Sequence, residues 1–309
     1  MASWCICIFL SLLSSVSSVS AATIVVDQSN RGDFTTVQAA INSVPSGNLE
    51  WTIINIREGI YREQVIIPYD KPFIILQGTG IQTTIISWNG HGPIDRDATF
   101  NSEANNTIAR DISFVNSYNT PPKVNTNPMV RAVAARIKGD NSAFYRCGFF
   151  GLQDTLWDVE GRHYYERCTI EGAVDFIFGA GQSLFESCAI SVAGGALNGP
   201  GFITAQRREN PNDTNGFVFK NCIIVGEGKV YLGRPWGKYA RVLFYNTQMA
   251  DIIVPQGWDP WTSVGQENLL TLSEYNSQGP GSNSSMRVGW AKKLSDEEVN
   301  KLASVSFIK

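Results

Sequence analysis

A-F-Y-R-C-G-F-F-G, residues 143–151, and H-Y-Y-E-R-C-T-I-E-G, residues 163–172, decide the fold. Each runs an aromatic lead into a cysteine and then into a second apolar pair. Related runs occur at A-R-D-I-S-F-V-N (109–116), L-F-E-S-C-A-I-S-V (184–192), F-V-F-K-N-C-I-I-V-G (217–226) and R-V-L-F-Y-N-T-Q-M-A (241–250). Aligned on the small residue after each lead, the anchors are Ser113, Cys147, Cys168, Cys188, Cys222 and Thr247. The steps between them are 34, 21, 20, 34 and 25 residues. The runs are short, β-branched and aromatic, with turn residues between them, so they read as strands. A base step near twenty residues with insertions predicts an all-β solenoid, a parallel β-helix whose coils bury their inward faces on one another. A β-sandwich with accidental spacing is the competing architecture. Two short capping helices are expected. One is T-T-V-Q-A-A-I-N-S (35–43), and the other follows the capping-box pattern Ser295-Asp296-Glu297-Glu298.

The composition agrees. Of 309 residues, 43% are hydrophobic and 17% charged, enough for a large core. The net charge of −3 gives no reason to expect nucleic acid or an anionic membrane as partner. Trp4 to Leu13 is a short apolar stretch, followed by serines and by Val19-Ser20-Ala21. That pattern predicts a signal peptide over 1–21 and a single domain over 22–309. Secretion fits the three N-x-S/T sequons at Asn105, Asn212 and Asn283. Beyond the leader four cysteines remain, with three possible connectivities. Adjacent coils would bring Cys147 near Cys168 and Cys188 near Cys222, and these are the expected disulfide pairs, with four buried free thiols as the alternative.

The chemistry lies in two acids. A-V-D-F-I-F-G (173–179) places Asp175 in an apolar strand, where an ionised carboxylate is costly unless it is paired. Q-D-T-L-W (153–157) carries Asp154, and 21 residues separate the two, as they separate Cys147 from Cys168. The acids should therefore occupy equivalent places on neighbouring coils, with one pKa rising and the other falling. Such a pair can hold a proton donor and a nucleophile together. Gln153 adds an amide donor suited to an oxyanion, provided a turn or bulge brings both side chains to one face. In L-G-R-P-W (232–236), Arg234 can hold Asp175 with two hydrogen bonds and Trp236 offers a face for a sugar ring. There is no G-x-S-x-G elbow, and the only histidines are His91 and His163, the latter read as a strand-end residue. The cysteine spacing does not suggest zinc.

Taken together, G-I-Y-R-E (59–63), A-R-D-I-S-F-V-N, S-A-F-Y-R-C (142–147), G-L-Q-D-T-L-W (151–157), V-D-F-I-F-G (174–179), L-G-R-P-W, G-P-G (279–281) and R-V-G-W (287–290) resemble the pectinesterases. The resemblance spans essentially the whole chain beyond the leader. It implies a single-stranded, right-handed parallel β-helix of the plant type without an inhibitor-like pro-region. It also implies hydrolysis of the methyl esters of homogalacturonan, in the cell wall, by a secreted monomer. No metal or organic cofactor is implied, and a proteinaceous pectinesterase inhibitor is an implied partner. Carried over residue by residue, Asp175 matches the nucleophile, Asp154 the general acid and then base, and Gln153 the oxyanion stabiliser. Arg234 matches the partner of Asp175 and Trp236 a substrate contact.

One position departs from the pattern. The family has a glutamine in a segment like H-Q-A-V-A-L-R, and here V-R-A-V-A-A-R (130–136) places Arg131 there. Arginine can also donate to the substrate, but it is longer and always charged. Two readings follow, an active esterase or a pectin-binding protein of the same fold with impaired catalysis. A third, a chain-cleaving hydrolase or lyase on this fold, is opposed by the Q-D and D-F-I-F-G motifs.

Overall fold

The computed structural model describes residues 21–119 and 129–309. Apart from Ala21, the expected leader lies outside the described residues. The strands form three parallel sheets of ten, eight and seven strands. The seven- and eight-stranded sheets take every third strand in chain order throughout, and the largest does so except at its first and last steps. Coils of three strands stacked along one axis produce that order, so the chain is a parallel β-helix.

The register tests the repeat. Gly148 pairs with Thr169, Thr169 with Ala189, Ala189 with Ile223 and Ile223 with Gln248. Cys147, Cys168, Cys188, Cys222 and Thr247 therefore form one row. Ser113 does not join it, because it pairs with Gly148. Ile112 is the true equivalent of Cys147, and the first step is 35 residues rather than 34. The residue just before each true anchor turns the chain between two sheets. Asp111, Arg146, Arg167, Ser187, Asn221 and Asn246 all hold φ between 50° and 56°. Asn and Asp tolerate this left-handed backbone, whereas arginine does so at a cost. Arg146 is fixed there by a two-pronged ion pair with Asp111, at 2.7 Å on each prong.

Aromatic leads fill the coil interior. Phe144, Tyr165, Phe185, Phe219 and Phe244 are in register and stack at 5.0, 4.5, 4.6 and 4.5 Å between centroids. All five are fully buried. Burying a ring of this size contributes about 1.5–3 kcal/mol, so this column supplies much of the cohesion between coils.

The expected disulfides are not formed. Cys147, Cys168, Cys188 and Cys222 are free and buried. They stack as a ladder in which Cys168 Sγ donates to Phe144 O at 3.4 Å, Cys188 Sγ to Tyr165 O at 3.4 Å and Cys222 Sγ to Phe185 O at 3.3 Å. In-register side chains of a parallel sheet point the same way, not toward one another. That arrangement opposes the near-right-angle twist of a C–S–S–C bridge. Burial also holds the Cys168 and Cys222 thiols well above their ordinary pKa, which suppresses the reactive thiolate.

Both expected helices form. Val37–Ser43 is capped by Thr36 and buries Val37, Ala40 and Ile41 against the first coils. Asp296–Leu302 has the full Ser295/Glu298 capping box. It lies along the flank of the ten-stranded sheet, where Val299, Ala303 and Phe307 cover Leu184, Val218 and Leu243. No helix among the described residues is long and apolar enough to cross a membrane. The outer face of the seven-stranded sheet instead carries an apolar floor of Ala98, Val133, Phe178 and Ala205, edged by Ile94, Trp157 and Trp236.

Candidate active site

Asp154 and Asp175 meet on that seven-stranded sheet. Gln153 bridges to Val174, and Leu156 pairs with Ile177, so Asp154 stands opposite Asp175 one coil away. Both acids have left-handed backbone, with φ of 61° and 48°. At Asp175 the register with the next coil slips between Val174 and Ile177, which is a β-bulge. The left-handed Asp154 supplies the turn expected beside Gln153, and the bulge supplies its counterpart at Asp175. It also turns Phe176 and Ile177 inward together, both fully buried. Gly172 makes room for the bulge, since a Cβ there would lie 2.1 Å from Phe176 Cβ.

Asp175 is 9% exposed and Asp154 6%. Arg234 meets Asp175 with two parallel hydrogen bonds, Nε to Oδ1 at 2.8 Å and Nη2 to Oδ2 at 2.5 Å. The expected partner is therefore in place. Burial pushes the Asp175 pKa above the usual carboxylate value, while the hydrogen bond and charge of Arg234 pull it back. Among the described residues, Asp154 has no such anchor. Burial, then the charge of Asp175, push it up to about 7, against smaller downward pulls from Arg131 and Arg234. The expectation of one rising and one falling pKa is corrected here. Both rise, because burial exceeds the help from Arg234, and they separate by degree. The field of Arg131 is the pull that would weaken Asp154 as an acid, and it is outweighed.

Gln153 is partly buried, and among the described residues its side-chain amide has no hydrogen-bond partner. Arg131 is exposed at the start of the preceding coil, where the next residue, Ala132, donates its amide to Gln153 O at 3.1 Å. Trp236 is half-buried at the floor's edge, 5.9 Å from Phe178, with Arg207 4.8 Å over its ring. One face of Trp236 is thus already occupied by a cation.

The sequence reading missed an aromatic wall on the other side of Asp175. Phe202 stacks on Tyr231 at 5.3 Å, and Arg234 lies 4.0 Å over Phe202 and 4.1 Å over Trp261. Phe202 was discoverable, because it pairs with Val174 one coil on. Trp261 sits in a 3-10 turn, Trp261–Ser263, outside the coil register, so the repeat gave no signal for it.

His163 belongs to a separate network inside the coil. Asp158 accepts from His163 Nδ1 at 2.8 Å, Tyr165 OH at 3.0 Å and Ser183 Oγ at 2.7 Å. Serine, histidine and aspartate are all present, but the serine bonds the aspartate, so no base can take its proton. His163 and Asp158 are also fully buried. His91 is exposed and stacks on Tyr118 at 3.7 Å. Neither histidine joins the acid pair.

An exposed face with an apolar floor, aromatic walls and two carboxylates of unequal acidity can attack an acyl carbon and protonate its leaving group. Comparison with known proteins agrees. Residues 23–309 match the Pectinesterase family. Probable pectinesterase 29 of Arabidopsis thaliana is 53% identical over 287 residues, covering 92% of this chain and 86% of that protein. Probable pectinesterase 55 of the same plant is 53% identical over 290 residues, covering 92% and 88%. Among solved structures, the pectin methylesterase from carrot superposes with a TM-score of 0.86 at 32% identity, covering 95% of each chain.

Proposed function

The chain belongs to the pectinesterase family and hydrolyses the methyl esters of homogalacturonan, releasing methanol and free carboxylates; we propose that it does so with Asp175 as nucleophile and Asp154 as proton donor. The observation that carries this assignment is the asymmetry of the pair. Only Asp175 is held by a guanidinium, and only Asp154 has its pKa pushed up to about 7. At neutral pH the first is the better anion and the second the better acid.

In this reading an Asp175 oxygen attacks the C6 carbonyl carbon, and the Gln153 amide donates to the oxyanion that forms. The C6–methoxy bond breaks as Asp154 gives its proton to the departing oxygen, and methanol leaves. An acyl bond now joins C6 to Asp175. Asp154, now ionised, takes a proton from water as the water oxygen attacks C6 and the acyl bond breaks. The free carboxyl departs, and both acids return to their starting states. Arg234 holds Asp175 in line, while Trp236 and Arg131 contact the polysaccharide. Secretion to the cell wall, glycans on the exposed Asn105, Asn212 and Asn283, a monomeric state and recognition by a protein inhibitor complete the proposal.

Methanol release from esterified pectin is the test. Asp175→Ala should lower turnover by roughly 10⁴-fold or more with folding intact. Undiminished turnover in that variant would remove Asp175 from the mechanism.

A further inference from the structure

Arg234 is gripped from both faces. Its Cζ lies 4.0 Å from the Phe202 ring centre and 4.1 Å from that of Trp261, while its edge makes both hydrogen bonds to Asp175. Phe202 is in turn backed by Tyr231, whose ring is nearly parallel at 8°. Trp261 is held differently. It is 40% exposed, its φ is +44°, and its backbone amide donates to Asp259 Oδ1 at 2.7 Å. An exposed tryptophan in left-handed backbone persists only where its surroundings insist on it.

A guanidinium has two flat faces and a donor edge in its plane. Rings on both faces fix that plane, so the edge can point only where the plane lets it. An unclamped Arg234 would have rivals for its hydrogen bonds. Water is one, and the carboxylate that each turnover creates beside Asp175 is another. We propose that Trp261 and Phe202 are positioning residues that act on the nucleophile through Arg234, keeping the donor edge on Asp175 through the catalytic cycle. The proposal rests on the assignment of Asp175 as nucleophile.

The inference separates from a simple sugar contact by what changes. Trp261 covers Arg234 rather than Asp175, so removing its ring loosens the hold of Arg234 on the carboxylate. In Trp261→Leu, kcat should fall by about three- to ten-fold, the loss of one half-buried cation–π contact, with KM changed less. The acidic limb of the kcat/KM profile should move to higher pH, because a less firmly held Asp175 protonates more readily. Trp261→Phe keeps a flat face and should restore both. Arg234→Lys removes the planar group, so adding Trp261→Leu to it should have little further effect. A rise in KM alone with an unmoved acidic limb, or full additivity with Arg234→Lys, would overturn the clamp. Asp175→Ala read alongside keeps the two claims apart. If it stays active the nucleophile assignment fails, whereas if it is dead and Trp261→Leu is unaltered only the clamp fails.

Discussion

Asp154 stands opposite Asp175 on the adjacent coil, and both side chains leave the sheet from left-handed backbone. Parallel strands lie about 4.8 Å apart, so the stacking alone holds the two carboxyls as neighbours. In the proposed mechanism, turnover needs Asp154 protonated and Asp175 ionised.

A bell-shaped pH profile follows for kcat/KM. The basic limb should fall through about pH 7, as Asp154 loses its proton. The acidic limb should lie above the ordinary carboxylate value, because burial raises Asp175 more than Arg234 lowers it. A profile still rising steadily past pH 8 would contradict the role given to Asp154.

The same burial costs stability. A carboxyl whose folded pKa is raised destabilises the fold progressively as pH climbs from its unfolded value to its folded one. For Asp154 that window runs from the ordinary 3.8 to about 7. Asp154→Asn should therefore raise the melting temperature, little near pH 4 and most at pH 7 and above, while abolishing turnover. Thermal melts across that range measure it. Equal gains at pH 4 and pH 8 would show that Asp154 is not carrying the penalty.

Arg131 tunes the same limb. Its charge lowers the Asp154 pKa, so its removal lets that pKa rise. Arg131→Gln should extend activity to higher pH and leave the acidic limb in place. An unchanged basic limb would mean that Arg131 acts on the substrate alone.

The four cysteines should remain thiols. Mass spectrometry of unreduced peptides is expected to find Cys147, Cys168, Cys188 and Cys222 all free, with alkylation only after unfolding. A Cys147–Cys168 or Cys188–Cys222 bridged peptide would contradict this.

Much of the architecture was legible because a parallel solenoid writes its coil length into the sequence. The 21-residue interval from Cys147 to Cys168 carried over to Asp154 and Asp175, and L-G-R-P-W supplied the cation. The row itself was misjudged once, at Ser113, because an isoleucine fills the position that cysteine holds elsewhere. Spacing gave nearness of the cysteines but not side-chain direction, so the bridges were wrongly expected. Spacing was also silent on groups outside the repeat. Trp261 reaches Arg234 from a turn with no coil equivalent, and Asp158 meets Ser183 from across the interior.

That interior meeting makes the last prediction. Both ring nitrogens of His163 face acceptors, Asp158 Oδ1 at 2.8 Å and Gly139 O at 3.0 Å. A doubly protonated ring donates to both, and that is the state predicted for His163. Burial alone would lower its pKa, but the charge and hydrogen bond of Asp158, with the Gly139 carbonyl and Asp140, raise it above its ordinary 6.5. A histidine whose folded pKa is raised contributes its stability fully below the unfolded value and loses it as pH rises through the folded one. Gly181 shows how tightly the hub is built, since a Cβ there would fall 1.6 Å from Asp158 Oδ1. His163→Gln leaves Asp158 with Tyr165 and Ser183 but no counter-charge, and breaking such a pair costs about 3–5 kcal/mol. Urea unfolding at pH 5.5 should show that full deficit against the wild type. As pH rises above 6.5 the deficit should shrink, because the raised folded pKa makes the wild type lose this contribution there. A deficit that stays constant from pH 5.5 to 9 would mean that His163 is neutral in the fold, and that the hub is held by hydrogen bonds without a charge pair.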